Sequence, residues 1–317
     1  PGAGEGLGVP GDPTRRECLV LERVRPANLD EVEHIIDAMP LTVDRLSTTT
    51  AEPRFLTATL GALQLVAGHF GSAIHTYGAA EADRALVAFQ MEPARGHWNG
   101  ETMRVGSAWC YPPGAEHEGV GQHPVTFAAI SLPGDQLARL AGDGPASRSQ
   151  MSVHAGPAVH GLRRVVTDLA GISGRMQVGD SRLADAGREL GGYLTECLAL
   201  CEPRGHMYAP TARHIVDQCI EASSVLGPRP SSVDLEEITR VSDRRIRAAF
   251  NEVFGIPVSL FFRMRALHGA HRDLSRTDRR QTSVTDVALR WGFWHFGRFS
   301  GQYKQLFGQT PSETLRQ

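Results

Sequence analysis

Residues 241–250 read VSDRRIRAAF and close on Gly255; residues 294–303 read WHFGRFSGQY and close on Gly308. The two segments superpose at an offset of 53, which matches Ile246 to Phe299, Phe250 to Tyr303 and Gly255 to Gly308. Apolar residues four apart turn one face of a helix inward. A Gly five residues beyond the aromatic supplies the left-handed residue that ends such a helix. A short helix precedes each segment, Val233 to Thr239 for the first and Ser283 to Trp291 for the second. Ser242 is well suited to cap the first of the longer helices. Between the units, Leu260 to Leu274 makes one longer helix with Leu267, Ala270 and Leu274 facing in. The pattern predicts two helix-turn-helix units in tandem.

Reading DNA asks for this arrangement. The second helix of each pair must enter the major groove and expose polar side chains there. Ser242, Arg244, Arg245, Arg247 and Asn251 are the candidates in the first unit. His295, Arg298, Ser300, Gln302 and Lys304 are those in the second. Arginine reads guanine through paired bonds to O6 and N7, and it neutralises phosphates. Two such helices one turn of DNA apart would read successive major grooves on one face. A single basic helix is as readily a solvated surface, so the internal repeat carries the reading.

The stretch from about 211 to 316 resembles the AraC/XylS family of bacterial transcription regulators. The most specific part is Val287-Ala288-Leu289-Arg290-Trp291-Gly292-Phe293, followed by Phe299-Ser300, Tyr303-Lys304, Phe307-Gly308 and Pro311-Ser312. The resemblance implies sequence-specific binding to double-stranded DNA. It also implies a small effector held in an N-terminal barrel and a homodimer formed through adjacent helices. The first unit departs from the family pattern. Glu236 stands where a small packing residue is usual, Arg240 where the turn usually has Gly, and Val258 where Pro is usual. These departures put its helix geometry in question. In the second unit Gly301 replaces a residue that is often basic, and Trp294-His295 replaces a small polar pair.

Outward from this unit, Thr211 to Leu226 reads as a helix ended by Gly227-Pro228-Arg229-Pro230. From Arg204 onward there are 17 Lys+Arg against 11 Asp+Glu, a net of +6. The preceding residues carry 16 against 24, a net of −8, so the basic end is the part expected to meet DNA. Residues 55–132 look β-rich. Phe55 to Phe70, Ala85 to Met91 and Val125 to Leu132 are apolar runs broken by Gly and Pro clusters, as in a barrel or sandwich. Residues 28–38 read as a helix before it. Two helical stretches follow from about Pro157. One carries Leu162, Val165, Val166, Leu169 and Ile172. The other carries Leu183, Leu190, Tyr193, Leu194, Cys197, Leu198 and Cys201. They either pack on the β domain or pair with a second copy.

Gly106, Pro112-Pro113-Gly114 and His117 resemble the second cupin motif, in which a tight turn aims a His into the barrel. The first motif is missing, since only His97-Trp98-Asn99 stands upstream. A metal site on His97, Glu116 and His117 is the rival reading, and it would make the chain a metal-dependent cupin enzyme with a helical appendage. A barrel that has lost its metal and binds an effector at its mouth is the reading preferred here. His97, Trp98, Trp109, Tyr111 and His117 are the candidates, with no catalytic residue, metal or cofactor. A regulator governed by a partner protein, with no small ligand, is a third reading.

Five Cys in 317 residues fit a reducing cytoplasm. Cys197 and Cys201 share a helix face, as a metal or redox pair would or as buried apolar residues do. No 18-residue apolar run exists, so no membrane span is expected. The fold class is therefore α+β and multi-domain. A disordered tail (1–14) precedes a cupin-like β-barrel sensor with flanking helices (15–155). Linker or dimerisation helices follow (156–204), then an all-α domain with two helix-turn-helix units (205–317).

Overall fold

The computed structural model describes residues 19–26, 32, 41–47, 52–99, 101–141, 151–153, 156–172, 181–200, 202–203, 210–277 and 282–316. The tail at 1–14, Cys201, Arg204-Gly205 and all of the helix expected over 28–38 except Val32 lie outside them.

The N-terminal part is sheet-rich. One antiparallel sheet runs in the order β1 (Leu19–Val24), β3 (Arg54–Leu60), β4 (Leu63–Phe70), β11 (Val125–Pro133), β6 (Arg84–Gln90), β9 (Ala108–Tyr111), β12 (Met151–Val153), β13 (Glu202–Pro203). A second runs β2 (Leu41–Arg45), β5 (Ile74–Ala79), β10 (Glu116–Gly121), β7 (Gly96–Trp98), β8 (Glu101–Thr102). The apolar run at 55–70 is thus a hairpin, in which Leu60 pairs with Leu63 across a turn with Gly61 at φ +65°. Glu202-Pro203, expected to begin a linker, instead adds an edge strand to the larger sheet.

Strand alternation divides the larger sheet's residues between two cores. Leu86, Ala88, Trp109, Tyr111 and Phe127 face the smaller sheet. Ala85, Val87, Phe89, Cys110 and Ile130 face helices on the other side. The helices are α1 (Gly134–Ala141), α2 (Gly156–Ile172) and α3 (Ser181–Ala199). Val159, Leu162, Val166 and Leu169 of α2 share that core with Leu183, Leu190, Leu194 and Cys197 of α3. The apolar stripes of α2 and α3 are therefore spent on the sheet, the first of the two arrangements weighed above. Cys197 serves there as an apolar core residue.

The C-terminal part is helical: α4 (Pro210–Leu226), α5 (Ser232–Thr239), α6 (Asp243–Phe254), α7 (Val258–Arg276), α8 (Val284–Arg290), α9 (Phe296–Phe307) and α10 (Pro311–Thr314). Helix α7 is the spine. Its first half packs Val258, Phe261 and Phe262 against Ile246, Phe250 and Phe254 of α6. Its second half packs Leu267, Ala270 and Leu274 against Val287, Phe299 and Tyr303. Gly269 explains itself midway along α7: a Cβ there would sit 2.2 Å from the Trp291 ring, so only glycine admits that ring. Gly255 (φ +69°) and Gly308 (φ +77°) end α6 and α9 as the repeat predicts.

Candidate nucleic-acid interface

Helices α6 and α9 present matching surfaces. In α6, Ile246, Ala249, Phe250, Val253 and Phe254 are buried, while Ser242, Arg244, Arg245, Arg247 and Asn251 are exposed. In α9, Phe299, Tyr303 and Leu306 are buried, while His295, Arg298 and Lys304 are exposed. Ser300 and Gln302 are half-buried on its flanks. The reason is geometric, since residues two apart on a helix point about 200° apart. Positions 298, 300, 302 and 304 therefore cannot all face one groove. The offset of the repeat pairs Arg245 with Arg298 and Ala248 with Gly301, each pair exposed. Each unit thus sets one arginine beside a small residue at the middle of its outward face. Among the described residues no carboxylate pairs with Arg245 or Arg298. Arg247, by contrast, is held by Asp243 through an Nη2–Oδ2 contact of 2.8 Å, with which any further partner must compete.

Three of the neighbouring helices are closed at their N-termini by side chains, whereas α6, α9 and the central α7 are not. Ser231 and Asp234 make a capping box on α5, Ser283 and Asp286 one on α8, and Thr310 and Glu313 one on α10. Ser242 and His295 occupy the N-cap positions of α6 and α9 but make no side-chain cap bond. The expected capping role of Ser242 is corrected accordingly. Open N–H groups at a helix start, beside exposed arginines, suit a DNA phosphate.

The departures in the first unit leave its turn intact. Arg240 takes the left-handed conformation itself (φ +57°) and donates its N–H to the Glu236 carbonyl at 3.0 Å. Glu236 is exposed, so it displaces nothing from the core. Helix α7 starts at Val258 with Pro257 as its N-cap residue. A side chain at positive φ costs about 1 kcal/mol that glycine avoids, offset in part by glycine's greater freedom when unfolded. Arg240→Gly is therefore expected to stabilise the protein by about 0.5 kcal/mol in urea unfolding. A loss of stability would show that the arginine side chain compensates for its backbone.

The five barrel candidates separate. Trp98, Trp109, Tyr111 and His117 lie between the two sheets. The Trp98 and Trp109 rings stack at 6.1 Å, and His117 lies 6.4 Å from Trp98 and 5.7 Å from Tyr111. Both His117 ring nitrogens are buried without a hydrogen-bond partner among the described residues, and burial lowers its pKa to about 4. His97 does not join them. It pairs in register with Val120, and both point out of the sandwich toward the helical domain. There burial lowers its pKa and Glu252 partly offsets that. Glu116 and His117, adjacent on a strand, also face opposite sides. His97, Glu116 and His117 therefore do not converge. Among the described residues no group of three or more His, Cys, Asp or Glu could hold a metal ion. Within the apolar centre near Trp98, Met103 and Phe127 the free space is about 10 Å³, room for a single water.

A larger space lies elsewhere. A cleft of about 960 Å³ opens between the smaller sheet and the helical domain, lined by His75, Tyr77, Glu118, Arg213, Asp217 and Phe261 among others. No sequence pattern pointed to it, because its walls are far apart in the chain. Glu118 meets His75 of its own sheet at 2.7 Å and, across the cleft, pairs with Arg213 of α4. Burial alone would raise the Glu118 pKa, but His75 and Arg213 outweigh that and hold it below the usual carboxylate range. At the end of β2, Asp44 receives Arg272 at 2.9 Å, and the Arg45 N–H donates to His268 Nε2 at 2.8 Å. The Arg45 guanidinium donates to the Leu306 carbonyl at the end of α9, also at 2.8 Å. The end of α6 is met as well, where Gln122 donates to the Glu252 carbonyl. The sheet thus touches the C-terminal ends of both α6 and α9.

Residues 235–317 match the family described as "Helix-turn-helix domain". The "Probable thc operon regulatory protein" of Rhodococcus erythropolis is 42% identical over 76 residues, 24% of this chain and 23% of that protein. The "XylDLEGF operon transcriptional activator" of Pseudomonas putida is 35% identical over 83 residues, 26% of each. The chain thus matches about a quarter of the length of these relatives. A solved structure described as a probable AraC family transcriptional regulator from Rhodopseudomonas palustris is 35% identical, covering 32% of this chain and 95% of that one, with a TM-score of 0.29.

Proposed function

Because the chain belongs to the AraC/XylS family of regulators, we propose that it is a sequence-specific DNA-binding transcription regulator acting in the cytoplasm. The observation that carries this reading is the duplicated helix pair, with Arg245 and Arg298 at equivalent exposed positions beside Ala248 and Gly301. Both pairs, α5–α6 and α8–α9, are read as helix-turn-helix units. The two-sheet domain is read as cupin-like and as the sensor of a small effector. Helices α2 and α3, whose apolar faces cover the sheet, would contribute only their polar faces to a homodimer. Names of relatives that describe operon regulation support transcription as the output. Among the described residues no helix is long and apolar enough to cross a membrane.

Regulation follows from the interface between the domains. The sensor holds the ends of α6 and α9, so it influences where each helix can reach. An effector changes DNA affinity only to the extent that it prefers one arrangement of the domains over another. Arg298→Ala is expected to lower affinity for the cognate site by ~1–3 kcal/mol, the size of one bidentate base contact. Anisotropy titration against a site from random-library selection measures it. Unchanged affinity and unchanged base preference would remove Arg298 from the interface.

A further inference from the structure

The turns of the two helix pairs differ by one residue. In the first, left-handed Arg240 is followed by Val241, which packs on the core, and then by the N-cap Ser242. In the second, left-handed Gly292 is followed by buried Phe293, then by one further residue, Trp294, and only then by the N-cap His295. That further residue is 74% exposed. Its indole makes no ring contact or hydrogen bond among the described residues. The chain has four Trp. Trp98 and Trp109 are buried and Trp291 is half-buried, donating its indole N–H to Asp273 at 3.0 Å.

The turn that presents Trp294 is held firmly. Phe293 lies in the core against Phe299, with ring centroids 4.8 Å apart. Arg229 stacks over Phe293 at 4.7 Å and donates to the Gly292 carbonyl at 3.0 Å. An indole displayed in water on a fixed turn leaves a large apolar area unburied, which favours a partner surface there. Trp294 immediately precedes the N-cap residue of α9, at the end of the helix that carries Arg298. At 297 and 301 glycine leaves open space where a side chain would stand. No bulk on the helix itself would then keep a base edge from reaching the indole.

Resting on the DNA-binding reading above, we infer that Trp294 is a specificity residue that packs against the 5-methyl group of a thymine in the major groove. That methyl is the apolar feature a base edge offers there, and apolar side chains recognise it. Arg298 would then supply the polar contact of this unit and Trp294 the apolar one.

The test uses the full chain and a DNA site recovered by random-library selection. Acrylamide quenching of the free protein should show one strongly accessible Trp, absent in Trp294→Phe. Binding DNA should protect it. Replacing single thymines by deoxyuracil should weaken wild-type binding several-fold at one or two positions. Trp294→Ser should bind about tenfold more weakly and lose that sensitivity, whereas Trp294→Phe keeps most of both. Protection without uracil sensitivity would overturn the thymine contact, as would DNA binding that leaves Trp294 as quenchable as before. A chain that binds no selected DNA, with folded-state circular dichroism, would overturn the DNA-binding reading and this one with it.

Discussion

Asp44→Ala should destabilise the docking of the two domains by about 3 kcal/mol, the low end of the range for removing one partner of a buried ion pair. Asp44 is 4% exposed and sits at the end of β2, facing Arg272 and His268 of α7. His268 Nε2 lies 2.8 Å from the Arg45 nitrogen and 3.2 Å from its carbonyl oxygen, and burial lowers the His268 pKa, which favours the neutral ring. The formal charge opposite Asp44 therefore comes from Arg272, whose side chain is 26% accessible. That residual access to water is why the low end of the range applies. Asp44→Asn keeps a hydrogen-bond acceptor and should cost about half as much. A double-mutant cycle with Arg272→Ala, read by urea unfolding, measures the pair directly. A coupling below about 0.5 kcal/mol would mean that apolar packing of Leu46 and Val120 holds the domains without it.

Acid should destabilise the N-terminal domain through His117. Its pKa is lowered by burial from 6.5 in the unfolded chain to about 4 in the folded protein. The unfolded state therefore binds more protons between those values. The stabilising contribution is complete above pH 6.5 and is lost as the pH falls toward 4. Linkage makes the loss about 2.5 kcal/mol by pH 4.5. His117→Phe removes the titration and keeps the ring in contact with Trp98 and Tyr111. It also removes two buried nitrogens that lack partners among the described residues. The variant should equal or exceed wild type at pH 7.5 and lead it by about 2.5 kcal/mol at pH 4.5. Parallel pH profiles for the two proteins would show that His117 is not the group responsible.

Much of the helical domain was legible in the chain. Period and punctuation are local properties, and here they agree with the packing. Ile246 and Phe250 point inward, Gly255 and Gly308 end their helices, and Ser283 caps α8 one residue before its first turn. The departures were legible too, but not their outcome. Arg240 looked disruptive because a side chain at positive φ is costly. The fold retains that conformation because α5 and α6 pack around the turn. Ser242 looked like a cap because serine usually is one, and its hydroxyl caps nothing. In the sheet-rich half, alternation marked the strands and the Pro-Pro-Gly turn pointed to His117. Whether His97 shared its side was not readable, because that depends on the pairing of β7 with β10, and a one-residue change of register reverses every side chain.

By itself, the sequence determined the helices of the C-terminal part, the glycines that end two of them, and which arginines stand at equivalent places in a duplicated unit. These rest on interactions within a few residues, so they can be read along the chain. The tertiary structure alone decided which faces meet. It brought Asp44 to Arg272 and Arg45 to Leu306, set Glu118 between His75 and Arg213, and left Trp294 largely exposed. Those contacts join residues up to 261 positions apart. Their partners are chosen by the packing of whole sheets and helices, which no local pattern encodes.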